Sequence, residues 1–138
     1  MHQVGDSIKY FRHMFPQWHI VATDAIGLSR VLVILWNPLW IMAKAFKCFA
    51  RILSLANIRG FTNSLHNLNI YTPYKGLHPF WNRFLSSECL QFEYLVTDGD
   101  LNCTLCGDEV WGNGRKMDPL ARCFKEAFLH HNLSDILP

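Results

Sequence analysis

The chain has 138 residues, half of them apolar, and its 13 Lys and Arg against 11 Asp and Glu leave a formal charge of +2. That balance suits about one globular domain and excludes a disordered tail. So small and scattered an excess of base does not by itself make a nucleic-acid patch, which needs clustered Lys and Arg.

Reading along the chain, Asp6 or Ser7 can cap a first helix with Ile8, Phe11 and Phe15 along its inward stripe and Pro16 as its stop. The same N-terminus, "MHQVGDSIKYFRHMF", lacks the apolar run and small-residue cleavage site of a secretory leader. The five cysteines, Cys48, Cys89, Cys103, Cys106 and Cys123, are odd in number and irregular in spacing. A reduced, intracellular setting is the expectation.

"WHIVA" (Trp18 to Ala22) and "VLVILWN" (Val31 to Asn37) are rich in β-branched residues and predict strands, with a turn around Gly27, Leu28 and Ser29. The most apolar run, Val31 to Met42, falls short of the roughly 18 residues of a membrane span and is broken by Asn37 and Pro38. It is expected to be a core strand, and no membrane association is expected. From Arg51 to Tyr71, Ile52, Leu55 and Ile58, then Leu65, Leu68 and Ile70, partly alternate with polar residues around a bend at Gly60 and Asn63. An antiparallel pair is predicted.

The period then changes. "HPFWNRFLSSE" sets Phe80, Trp81, Phe84 and Leu85 at helical spacing behind an early proline, as a crossover helix would. "FEYLVTDGD" returns to strand character and is expected to stop at Gly99, and Asp118-Pro119 opens a last helix with Leu120, Phe124, Ala127 and Phe128 on one face and Asn132 near its exit. No repeat, low-complexity tract or linker interrupts the chain, so residues 1–138 are read as one domain. The alternation of strands and helices predicts a mixed α/β fold with helices packed outside sheets.

Two stretches carry candidate chemistry. In "LVTDGDLNCTL" (Leu95 to Leu105), Asp100 and Asn102 follow a strand, and an extended backbone would aim both side chains to one side at a strand end, a common place for ligands. The plainer reading is turn chemistry, because Asp and Asn readily bond their own backbone. In "NIYTPY" (Asn69 to Tyr74), Tyr71 leaves another strand. Tyr71 and Asn102 can donate hydrogen bonds to a phosphate while Asp100 orients a water. Alternatively, Tyr71 simply buries its ring and wets its hydroxyl.

These stretches, with "AIGLSRVLVILWNP", "DEVWG" and "LARCFKEAFLHHNLSDILP" in the same order, resemble the endonuclease/exonuclease/phosphatase superfamily. The likeness is to the apurinic-endonuclease-like domain of plant non-LTR retrotransposons, and it covers nearly the whole chain. It implies a four-layer α/β sandwich, present here in part, that performs metal-dependent hydrolysis of DNA phosphodiester bonds, usually with magnesium, in a cell and, for such a substrate, its nucleus. In that family the tyrosine matching Tyr71 contacts the scissile phosphate, and the aspartate matching Asp100 positions or activates the attacking water. The asparagine matching Asn102 holds the phosphate or metal environment.

The chain also departs from the family. A Gln-Glu-Thr-Lys stretch supplies the family's metal-binding glutamate, and none of Glu88, Glu93, Glu109 or Glu126 stands in a similar setting. The family's Ser-Asp-His segment is missing as well, so the resemblance implies a domain cut short at both ends. Such domains run to about 200–250 residues, and a partial one leaves strand edges uncovered. Arg30 and Val31 replace two loop glycines, and Asp98 stands where a small residue is usual, adding charge near a phosphate. Impaired or absent catalysis is therefore expected, with a non-catalytic DNA- or protein-binding remnant as the alternative.

A zinc module is the rival of another class. Cys103 and Cys106 are spaced as a metal knuckle that Cys123 with His130 or His131 could complete, but no second knuckle follows and free cysteine is commonly a small buried hydrophobe. "RKMDPLAR" could touch a DNA backbone, although a solvated helix entry explains it as well. Trp111 is read as core packing or as a residue over the mouth of the site.

Overall fold

The fold is known from a computed structural model that describes residues 4–24, 31–48, 51–72, 75–104 and 118–136. Among them are six strands and three α-helices, a mixed α/β arrangement with two sheets. No helix among the described residues is long and apolar enough to cross a membrane. The chain gathers into two compact units, one of Met1–Pro73 with Phe92–Leu101, the other of Tyr74–Gln91 with Asn102–Pro138.

In the first unit, helix α1 (Val4–Met14) starts ahead of the Asp6 cap expected from sequence and ends before Pro16, which lacks the N–H to continue it. Helix α1 packs on β1 (His19–Asp24), which pairs antiparallel with β2 (Val31–Trp36) to make a two-stranded sheet. The turn expected at Gly27 to Ser29 lies outside the described residues.

The run from Val31 to Met42 is not one strand. Asn37 breaks it by accepting the Leu39 N–H on its side-chain oxygen at 2.9 Å while its backbone carbonyl takes the N–H groups of Trp40 and Ile41. This side-chain turn delivers the chain into β3 (Ile41–Cys48), a strand of the second sheet that the sequence reading left unassigned.

The second sheet runs β3, β4 (Arg51–Ile58), β5 (Leu65–Tyr71), β6 (Leu95–Asp100). The β3–β4 and β4–β5 pairs are antiparallel, as expected for the latter around the Gly60 bend, whereas β5 and β6 are parallel. A parallel pair needs a long crossover, and the expected helix lies within it as α2 (Leu77–Leu85). Strand β6 reaches Asp100, one residue past the expected stop.

Register decides which side chains share a face. Ala45, Ser54 and Asn67 form one row across the sheet, and Lys47, Ile52, Asn69 and Asp98 form the next. The β1–β2 hairpin packs against this face, where Leu32, Ile52 and Tyr71 form a buried cluster with Val21, Ile34 and Ala45 around it.

The second unit is built on aromatic packing. Phe80, Trp81 and Phe84 are the buried face of α2, and Leu120, Ala121, Phe124 and Ala127 are that of the last helix and its entry, α3 (Ala121–His130). The Trp81 and Phe124 rings meet edge to face at 4.2 Å, an arrangement favoured by the ring quadrupoles. Asp118 opens α3 by accepting the Leu120 N–H at 2.9 Å, so the expected Asp-Pro start holds. At the other end Asn132 takes a left-handed φ of 53°, the Leu133 N–H reaches the Phe128 carbonyl, and the Asn132 N–H reaches that of Leu129. These two bonds close the helix in a Schellman motif.

Candidate functional site

Tyr71 ends β5, Asp100 ends β6, and the two residues are register partners. They therefore stand side by side, on one face, at the carboxyl ends of adjacent parallel strands. Such ends are where open α/β sheets bind ligands. Thr72, just beyond Tyr71, locks the pairing: its N–H and its hydroxyl both donate to the Asp100 carbonyl, at 2.9 and 3.0 Å.

Glycine at position 99 is required by this geometry. Its φ is +123°, and a Cβ there would collide with the carbonyl of its register partner Ile70. Only glycine permits both the dihedral and the approach. The "DGD" order thus reflects a backbone demand that brings Asp100 level with Tyr71.

Tyr71 is 7% exposed and its ring belongs to the cluster with Leu32 and Ile52, as expected of a tyrosine that buries its ring at a strand end. The extended backbone anticipated from Asp100 to Asn102 does not continue, because the strand stops at Asp100 and Asn102 adopts φ 47°, the left-handed conformation that asparagine tolerates in turns. The alternation of an extended strand therefore does not orient the Asn102 side chain.

Sequence reasoning overlooked the polar residues upstream of this pair. Asn67 and Asn69 lie on β5 on the same face as Tyr71, and Asp98 lies on β6 on the same face as Asp100. Asp98 accepts hydrogen bonds from the side chains of both asparagines and from its own backbone N–H. The residue is exposed overall, and the partial desolvation of its carboxylate raises its pKa above the usual 3.8 in spite of these bonds. The signal for this group was the spacing of the two asparagines in "HNLNIY", polar at every second position on a face that the hairpin covers.

Among the described residues this face carries two carboxylates, Asp98 and Asp100, at the end where the resemblance implies magnesium. The ion usually keeps several waters and is held by one or two carboxylates with substrate phosphates; among the described residues no group of three or more His, Cys, Asp or Glu comes together. Of these two carboxylates, Asp98 has the amides of Asn67 and Asn69 and its own N–H beside it. Of the residues named for a zinc module, Cys103 and Cys123 are unoxidised and partly buried and Cys106 lies outside the described residues, as do "RK" of "RKMDPLAR" and Trp111. No protein-family model matches the chain, and no curated protein matches it either.

Proposed function

We propose that this chain is an endonuclease/exonuclease/phosphatase-like domain of the kind found in plant non-LTR retrotransposons, a partial form of that superfamily's four-layer sandwich. Its ancestral reaction is hydrolysis of DNA phosphodiester bonds, and in this chain the reaction is impaired or lost. The observation that carries the reading is the side-by-side placement of Tyr71 and Asp100 at the carboxyl ends of two parallel strands. A phenol that donates and a carboxylate that orients water are the partners an anionic ester needs.

The departures of the sequence from the family's metal-ligand and Ser-Asp-His stretches favour a second reading, a remnant that binds DNA or protein without turnover. Metal polarisation contributes several kcal/mol to phosphoryl chemistry, and each 1.4 kcal/mol or so is tenfold in rate. Asp98, lying on the same strand face as Asp100, adds a second negative charge where a phosphate would approach. An intracellular, nuclear setting belongs to this proposal, since it follows from the substrate.

Supercoiled plasmid with magnesium tests it. Nicking by the native chain that falls away in Asp100→Ala supports a surviving nuclease site, and equal nicking by both proteins removes Asp100 from the mechanism. Absence of nicking, with retarded migration of a DNA duplex, supports the non-catalytic form. Absence of both nicking and retardation overturns the DNA reading.

A further inference from the structure

A cleft of about 320 Å³ lies between β2 and the second sheet, entirely within the first unit. Register divides it into two ends. Ile41, Ala43, Ala56, Ile58 and Leu65 occupy the two rows at the start of β3 and β5 and make an apolar end, and Ser54, Asn67, Asn69 and Asp98 occupy the next two rows along the strands and make a polar end. The residues Val33 to Trp36 of β2 form the opposite wall. An apolar cavity of this size with a few convergent polar groups is the ordinary form of a small-molecule site.

Among the described residues the polar end is short of donors and of positive charge. Ser54 is only 4% exposed, and the buried Asn69 side-chain oxygen has no hydrogen-bond partner. Asp98, with Asn67 and Asn69 beside it, is an acceptor at this end of the cleft. The hydrogen bonds it accepts do not offset its desolvation. The cation in its row, Lys47, stands three strands away, roughly 14 Å at the usual spacing.

We propose that this cleft binds a small organic cation of the amidine or amine class, donating N–H to Asp98 and laying a compact apolar body along Ala43, Ala56 and Leu65. The cation supplies a donor within reach of the unpartnered Asn69 oxygen and a positive charge beside the Asp98 carboxylate at the polar end. Neither Tyr71 nor Asp100 lines the cleft, so the site stands independently of the nuclease reading.

Calorimetric titration with benzamidine, and with benzamide as its neutral near-isostere, separates charge recognition from apolar filling. Benzamidine is expected to bind the native chain at one site at least tenfold more tightly than benzamide. In Asp98→Asn, which keeps the shape and one acceptor oxygen but removes the charge, that preference is expected to vanish while benzamide still binds. Ala56→Phe, which fills the apolar end, is expected to abolish binding of both compounds with the circular dichroism of the native fold retained. Equal affinity of the native chain for the two compounds, no saturable binding of either, or a benzamidine preference that survives in Asp98→Asn would overturn the proposal.

Discussion

Gly99 of β6 lies against Ile70 of β5 with no room between them for a side chain, since a Cβ on the glycine would run into the isoleucine carbonyl. Gly99→Ala therefore carries two costs. The φ of +123° disfavours any L side chain by roughly 1–3 kcal/mol, and relief of the collision must pull the β5–β6 pair apart. The expected result is a lowered urea midpoint, together with faster amide exchange at Thr72, whose N–H bonds Asp100 across that pair. An unchanged midpoint would mean that the two strands do not approach as described.

Trp81 offers a contrast between losing a ring and changing one. It is 1% exposed, and its ring meets Phe80, Phe84 and Phe124. Trp81→Ala should cost about 3–5 kcal/mol, the usual penalty for removing a large buried aromatic. Its indole N–H is buried with no hydrogen-bond partner, so Trp81→Phe discards an unsatisfied donor as well as some volume. The phenylalanine variant should keep most of the stability, as denaturant unfolding will show. Equal losses would place the stabilisation in a bond to the indole nitrogen rather than in packing.

Some of this organisation was legible beforehand because local chemistry and tertiary packing agree. The Asp118-Pro119 start, the aromatic stripe of α2 and the Gly60 bend between β4 and β5 each depend on a few neighbouring residues. Strand β3 was missed because its pattern lacks the usual contrast. Ala43 and Ala45 face the hairpin, while Met42 and Phe46 on the other face are exposed, so neither side reads as clearly polar. The sequence suggests that Tyr71 and Asp100 converge, whereas their register follows from the crossover and from the Gly99 contact. Neither of these is encoded within a single window of sequence.

The end of α3 makes a local prediction. Asn132 sits at φ 53° just past the helix, where a β-carbon costs roughly 1–2 kcal/mol and asparagine recovers part of that by bonding locally. Asn132→Gly should be neutral or slightly stabilising, and Asn132→Ala should fray the last turn by up to about 1 kcal/mol. Hydrogen exchange at Leu133, whose N–H bonds the Phe128 carbonyl, reads the fraying directly. Equal protection in both variants would show that the left-handed residue is not what closes the helix.

Asp98 predicts how stability responds to pH. Burial raises its folded-state pKa above 3.8, against the opposing bonds from Asn67, Asn69 and its own N–H. The folded chain therefore holds this proton more tightly than the unfolded chain does. Stability falls as pH climbs from 3.8 through the folded-state value, and stays lowered above it. Asp98→Asn removes the enclosed charge and leaves an oxygen to accept from the two neighbouring amides. The variant should unfold at higher urea than the native chain at neutral pH, and the two should converge as the pH drops below 3.8. The Asp98→Asn difference measured across that range isolates this group from the other carboxylates, which both proteins share. A gap that widened toward acid would mean that the ionised carboxylate stabilises the fold, and that its hydrogen bonds outweigh its desolvation.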